Sequence, residues 1–189
     1  MTSPRERMVA SAALLIRERG AHPTAIADVL AHSGAPRGSA YHYFPGGRSQ
    51  LVCEAIDYAS DQVAARIDKA DSATGLLDAM IAGFRKQLSA TDFRAGCPIV
   101  AVAVEAGEPG ATDTAALDRA GAAFTRWTTQ ITHRLIDDGV PAERAEELAT
   151  LIMTSIEGAV VMARATRDVK PLELIHRQLR PLLPEGTSS

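Results

Sequence analysis

Cysteine is scarce. The 189 residues contain two, Cys53 and Cys97, with no CxxC pair and no histidine at ligand spacing, so neither a disulfide framework nor a metal site is expected. Long apolar runs are missing as well. Stretches such as Ile99 to Val104 fall far short of the ~20 residues of a membrane-spanning helix, and no membrane partner is expected. Nowhere do apolar and polar residues alternate long enough to argue for a strand. No H-E-x-x-H or nucleophile motif occurs, and the five histidines (22, 32, 42, 133, 176) are scattered, so no catalytic residues and no cofactor are expected.

What is present is a globular composition, 46% apolar and 23% charged, of a length that suits one domain or a small module joined to a larger one. Charge is uneven. Residues 1–48 carry six arginines against three carboxylates, a balance of +3; the remainder carries 14 basic and 20 acidic residues, restoring the total of -3. A basic end on an acidic chain suggests that one end meets a polyanion. Arg5 and Arg7 ahead of Met8 to Ile16 faintly imitate a secretory signal. The charges Arg17-Glu18-Arg19 and the helical recurrence of Met8, Ala12, Leu15 and Ile16 make it an amphipathic helix instead, and the cytoplasm is the expected compartment.

Periodicity and breakers predict an all-α chain of nine helices. The first covers Pro4 to Arg19 and stops at Gly20. Thr24 is placed to cap a short second helix through Ala31, and Ser33-Gly34-Ala35 makes a turn into a third that starts at Pro36 and ends before Pro45-Gly46-Gly47. Longer helices follow: Ser49 to Lys69, Ser72 to Leu88, a short apolar segment Ile99 to Val104, Thr112 to Asp138, Pro141 to Thr166 and Pro171 to Arg180. The tail Glu185 to Ser189 reads as disordered.

Helices two and three, with a glycine turn between them, have the dimensions of a helix-turn-helix, whose second helix lies in the DNA major groove. The third helix strengthens this. Of the chain's eight aromatics, three fall within the nine residues Pro36 to Phe44, beside Arg37, Ser39 and His42. Tyrosine and histidine donate to phosphate oxygens, serine bonds phosphate or a base edge, and arginine bonds guanine bidentately. Tyr41 and Phe44, three apart, also suit packing against helices one and four.

The strings Thr24-Ala25-Ile26-Ala27-Asp28-Val29, Ser33-Gly34-Ala35 and Gly38-Ser39-Ala40-Tyr41-His42-Tyr43-Phe44-Pro45 resemble the helix-turn-helix signature of TetR-family transcriptional regulators. Gly34-Ala35-Pro36-Arg37-Gly38-Ser39, with Gly46-Gly47-Arg48 and the later Gly96-Cys97-Pro98, is similar to the LmrA/YxaF-like branch. The resemblance implies a DNA-binding head (residues 1–48) and a C-terminal effector-binding and dimerisation domain (residues 49–189). It implies a homodimer on a palindromic operator, released by a small effector. DNA contacts would come from Thr24, Pro36, Arg37, Ser39, Tyr41, His42, Tyr43 and Arg48. Arg37 and Ser39 would read base edges, Tyr41, His42 and Tyr43 would touch phosphates, Thr24 would touch phosphate where the second helix begins, and Arg48 matches the basic residue at the start of helix four.

In the body, Met80, Phe84, Phe93, Val100, Val104, Trp127, Met153 and Met162 are large apolar candidates for a pocket and equally for a core. Cys97 joins them, and Glu105 and Glu157 are acids beside apolar stretches that would orient a ligand if buried. The stripe Leu148, Ile152, Ile156, Ala159 and Ala163, with Leu172, Ile175, Leu179 and Leu182, suits either internal packing or a second subunit, and the resemblance favours the dimer. Two other readings stand beside this one: a DNA-binding dimer without a ligand, and a helical enzyme.

Overall fold

The computed structural model describes residues 3–36, 38–105 and 114–184, and among them lie nine α-helices and no strand. Arg37, the Gly107-Glu108-Pro109-Gly110 turn, the first residues of the expected seventh helix and the tail lie outside the described residues. Contacts divide the chain into two compact units. The first is Met1–Gln62 with Cys97–Ala123, the second Val63–Gly96 with Phe124–Ser189.

The first unit opens with α1 (Pro4–Arg19). Ser3 caps it reciprocally with Glu6: the Ser3 hydroxyl accepts from the Glu6 amide at 3.2 Å, and the Ser3 amide donates to the Glu6 carboxylate at 2.7 Å. Gly20 ends it at φ +94°, a backbone state open to glycine. α2 (Ile26–Ser33) ends on Gly34 in the left-handed region, and α3 (Ser39–Tyr43) follows. The first part of α4 (Gly47–Asp68), α6 (Pro98–Glu105) and the start of α7 (Thr114–Asp137) complete the unit. α1 packs on both α2 and α6. Met8, Ile16, Val29, Phe44, Leu51, Ile56 and Ile99 are sealed from solvent, each worth about 1.5–3 kcal/mol of burial.

In the second unit, α5 (Ala73–Ala90) is capped by Ser72, and its first amide donates to the Asp138 carboxylate at 2.6 Å, placing a negative charge at the positive helix end. α8 (Ala142–Thr166) and α9 (Lys170–Leu179) pack on each other and on α5. The Asp78 carboxylate of α5 holds α9 through His176 at 2.6 Å and through Arg180. Arg167, which ends α8 in the left-handed region, pairs at 2.6 Å with Asp92, which with Phe93 is also left-handed, in the turn after α5. α8 is long and apolar enough in composition to cross a membrane. Leu148, Ile152, Ile156, Val160 and Ala163 are buried within the unit, so it serves there as a core helix.

Three expected boundaries move. α2 begins at Ile26 with Ala25 as its N-cap, so Thr24 is not the cap. The Thr24 hydroxyl donates back to the Gly20 carbonyl at 2.7 Å, and the side chain is buried. α3 is one turn shorter than expected, because the Pro36 carbonyl accepts from both the amide and the hydroxyl of Ser39 and the chain turns there before the helix starts. α4 starts at Gly47 rather than after Ser49.

Candidate nucleic-acid interface

α3 owes its placement to two small or apolar residues on one side. Ala40 and Phe44 are buried, at 1% exposure each, and they pin that face to the unit. The residues between them point out. Tyr41 is 75% exposed, so the packing reading that suited it in the sequence does not hold. His42 is exposed, and Tyr43 is half-buried with its ring edge-on to His42, centroids 5.2 Å apart. Two phenols and an imidazole therefore stand side by side on a helix too short to bury more than one face, all capable of donating to phosphate. Pro36 is exposed at the turn, and Ser39 is half-buried, with its hydroxyl donating to the Pro36 carbonyl at 2.6 Å and its oxygen left as an acceptor. Arg37 lies outside the described residues.

Behind α3 runs a chain of polar contacts. The Arg5 guanidinium lies 5.4 Å above the Phe44 ring and meets the Glu54 carboxylate at 2.7 Å. Gln50 donates to Glu54 at 2.9 Å, and its own oxygen accepts from the Gly46 amide at 2.9 Å. The exit of α3 is thus tied to α1 and α4 together.

Two side chains expected at the DNA face turn to the head's own backbone in the structure. Arg48 does not present its guanidinium outward. Its Nε donates to the Thr24 carbonyl at 3.0 Å, and its Nη2 donates to the His22 carbonyl at 3.1 Å and to that of Ala21. Thr24 is buried with its hydroxyl turned inward, so its side chain is not offered to phosphate. Glu105, weighed as an orienter of ligands, instead accepts from the amides of Ala21 and His22 at 3.0 and 2.9 Å. Arg5, Gln50 and Glu54 were not singled out in the sequence, and Glu105 was weighed only as an orienter of ligands, because the contacts that give these residues their place, Arg5 to Glu54, Gln50 to the Gly46 amide and Glu105 to the amides of Ala21 and His22, are to backbone groups or to residues distant in sequence.

The body candidates fall in different units. Cys97, Val100 and Val104 belong to the first; Cys97 is buried and Val100 half-buried, but Val104 is 74% exposed at the end of α6 and lines no interior. In the second unit Trp127 and Met153 are buried and Met80, Phe84 and Phe93 half-buried, with Phe124 edge-on to Trp127 at 5.8 Å. Glu157 is buried on α8, whereas Met162 is exposed on it. Cys53 and Cys97 are both buried and not joined in a disulfide.

Most of the expected dimer stripe turns inward, with Leu182 at its end exposed. Leu148, Ile152, Ile156, Ala163, Leu172 and Leu179 are buried within the protomer, and Ile175 is half-buried. The large apolar residues that α8 and α9 leave exposed are Leu151, Val161, Met162 and Leu174. Leu151, Gly158 and Met162 are spaced seven and four apart, one stripe on α8, about a quarter-turn from the buried one.

A short exposed helix rich in phosphate donors, set behind a glycine turn among described residues whose regular elements are all helices, defines a helix-turn-helix DNA-binding protein. The model for bacterial regulatory proteins of the tetR family matches residues 9–55, and that for the C-terminal domain of LmrA/YxaF-like transcriptional regulators matches residues 73–178. The chain is 61% identical over 185 residues to the uncharacterized HTH-type transcriptional regulator Rv0196 of Mycobacterium tuberculosis, covering 97% of this chain and 95% of that one. It is 27% identical to the HTH-type transcriptional regulator LmrA of Bacillus subtilis, over 89% and 90% of the two chains. A TetR transcriptional regulator from Legionella pneumophila shares the fold at a TM-score of 0.81 and 20% identity, covering 97% of this chain and 98% of that one. The chain belongs to the TetR family of transcriptional regulators, in the LmrA/YxaF-like branch. It is a regulator of transcription and not an enzyme.

Proposed function

We propose that the protein is a cytoplasmic homodimeric repressor that binds a palindromic operator and is released from it by a small, largely apolar effector. The observation that carries this reading is the outward array on α3, with Tyr41 75% exposed and His42 exposed beside it. Tyr41, His42 and Tyr43 grip phosphates and fix the register of α3 in the groove. Arg37 and the acceptor oxygen of Ser39 read base edges, with Pro36 against the groove wall. A single head reads a half-site, so a two-fold dimer with heads about 34–36 Å apart matches a palindrome. The exposed apolar residues of α8 and α9 supply a self-complementary surface for it.

The effector site in this reading is the interior around Trp127, Met153, Met80 and Phe84, where Met and aromatic side chains accommodate irregular apolar ligands and Glu157 orients a polar group. Effector and operator bind antagonistically, and by linkage each weakens the other by the same factor, typically ~1–3 kcal/mol.

The test is fluorescence anisotropy with DNA flanking the protein's own gene, against a scrambled duplex, at two salt concentrations. Tight, selective binding supports the reading and provides the assay for effectors. Weak binding, equal on both duplexes and abolished by salt, means that charge alone is read and overturns sequence-specific control at that site. Effector affinity that is identical with and without operator overturns the release mechanism.

A further inference from the structure

We propose that Glu105, at the end of α6, is a positioning residue for DNA binding: its carboxylate holds the turn between α1 and α2 and thereby sets the entry of the helix-turn-helix. The inference rests on the DNA-binding function of the head and concerns a residue that lies within the region of the C-terminal family match.

One oxygen of Glu105 accepts from two successive backbone amides, Ala21 at 3.0 Å and His22 at 2.9 Å. Successive amides converging on one anion make a small concave nest, and a charged acceptor strengthens both bonds. The carboxylate also lies close over the residue before them, where the left-handed backbone already favours glycine. A Cβ on Gly20 would come within 1.9 Å of the second Glu105 oxygen, and Gly20 sits at φ +94° as well. On the other side of the same turn, the carbonyls of Ala21, His22 and Thr24 all face the Arg48 guanidinium. Amides meet an acid from α6 and carbonyls meet a base from α4, so the turn is clamped in the sense its peptide dipoles require.

The clamp matters because α2 has no side-chain cap of its own. Its N-cap is Ala25, and the nearby hydroxyl of Thr24 is spent on the Gly20 carbonyl. The Asp28 carboxylate reaches back to the Ala25 amide at 3.3 Å but is shared with Arg19 at 2.8 Å. The start of α2 is therefore held from outside as well, by residues of α4 and α6. Because α3 follows α2 through a short turn, an error at the start of α2 is carried into the orientation of Tyr41 and His42.

The sign of the effect separates positioning from charge. A carboxylate against a basic head opposes a polyanion, so removing the charge alone strengthens binding to every duplex. Loss of positioning weakens binding to the preferred duplex only. The experiment compares full-length wild type, Glu105→Ala and Glu105→Gln, the last keeping an oxygen acceptor in place without the charge. DNA binding is measured on a duplex that the wild type selects from a random-sequence pool and on a scrambled duplex. Hydrogen exchange is followed at the amides of Ala21 and His22, with α8 amides as the internal reference for folding. The expected result is loss of protection at Ala21 and His22 in Glu105→Ala, with selectivity falling about tenfold, and substantial recovery of both in Glu105→Gln. Unchanged amide protection in Glu105→Ala overturns the proposal, as does equal or tighter binding of both variants to both duplexes. If the wild type itself selects no sequence, the reading of sequence-specific control fails, while the exchange measurement still decides whether Glu105 holds the turn.

Discussion

The guanidinium of Arg5 stands 5.4 Å from the centroid of the Phe44 ring, joining the first turn of α1 to the residue that closes α3. The same guanidinium meets Glu54 of α4 at 2.7 Å, so one side chain ties three helices of the head. The two partners make unequal contributions. Phe44 is 1% exposed, and Phe44→Ala leaves a cavity that costs about 3–5 kcal/mol. Arg5 is nearly half exposed, and Arg5→Ala removes a solvent-screened ion pair and an exposed cation–π contact, together about 1 kcal/mol. Urea unfolding of the two variants is expected to separate them clearly. Equal losses would mean that Arg5 is needed to build the core and does more than orient α3.

Two carboxylates of the first unit give opposite responses to acid. The backbone amide of Ser3, then its hydroxyl, hold the Glu6 carboxyl below its ordinary value of 4.5. A folded-state value below the unfolded one gives stability that is present above the unfolded value and lost as pH falls through the folded one. Asp57 is the reverse. Partial burial pushes its carboxyl up against the pull of Arg119 at 3.6 Å, and Asp61 and Glu54 add to the rise. The folded state then holds the proton more tightly than the unfolded chain, so this contribution falls as pH climbs through the interval above 3.8 and is most unfavourable at neutral pH. Asp57→Asn is therefore expected to raise the thermal midpoint at neutral pH and to lose that advantage in acid. Ser3→Ala costs about 1 kcal/mol of cap and flattens the acid limb due to Glu6. Thermal unfolding from neutral to about pH 3 checks both signs.

The two apolar stripes of α8 predict different outcomes for the same kind of substitution. Ile156 is sealed inside the protomer, and Ile156→Glu buries a charge without a partner, at a cost of several kcal/mol that prevents stable folding. Met162 is 59% exposed on the other stripe. Met162→Glu is expected to change protomer stability by less than about 0.5 kcal/mol while weakening subunit association by about 2 kcal/mol or more. Sedimentation velocity, with circular dichroism as the control for folding, reads both. A Met162→Glu protein that remains a dimer at low micromolar concentration would move the subunit interface elsewhere.

These stripes also mark where the sequence stops being legible. Most of the helices could be read because punctuation that acts locally bounds them: Ser3 and Pro4 before α1, Gly20 after it, Ser72 before α5, Gly139 and Pro141 between α7 and α8. The recognition helix could be read because Tyr41, His42 and Tyr43 cluster within three positions in a chain poor in aromatics. On α8, however, periodicity finds an apolar stripe without saying whether it faces the core or a partner, and the one with more large aliphatic residues goes inward. Thr24 looked like a cap because capping residues are recognised by type, whereas its hydroxyl found the Gly20 carbonyl first. Glu105 stood out in the sequence only as an acid beside an apolar stretch, which says nothing of the turn it holds. Its partners are backbone amides 84 and 83 positions away, and any residue type presents the same amide.

Arg48 is the position where the sequence reading and the geometry make distinguishable predictions in solution. A side chain that neutralises a phosphate releases a counterion, so removing it lowers the slope of log affinity against log salt by about 0.9. Arg48 instead spends its donors on the carbonyls of Ala21, His22 and Thr24. Arg48→Gln therefore leaves three carbonyls short of donors and loosens the start of α2. It is expected to weaken binding to the preferred duplex and to lower head stability by about 1–3 kcal/mol, with the salt slope nearly unchanged. Tyr41 gives the contrasting case, since its phenol is exposed and free of core packing. Tyr41→Phe removes one uncharged donor, leaves both stability and salt slope in place, and weakens binding to preferred and scrambled duplexes alike by about 1 kcal/mol. A salt slope that drops by a full unit in Arg48→Gln would show that the guanidinium leaves the turn to reach a phosphate when DNA binds. In that event the clamp seen here is an arrangement of the unbound head.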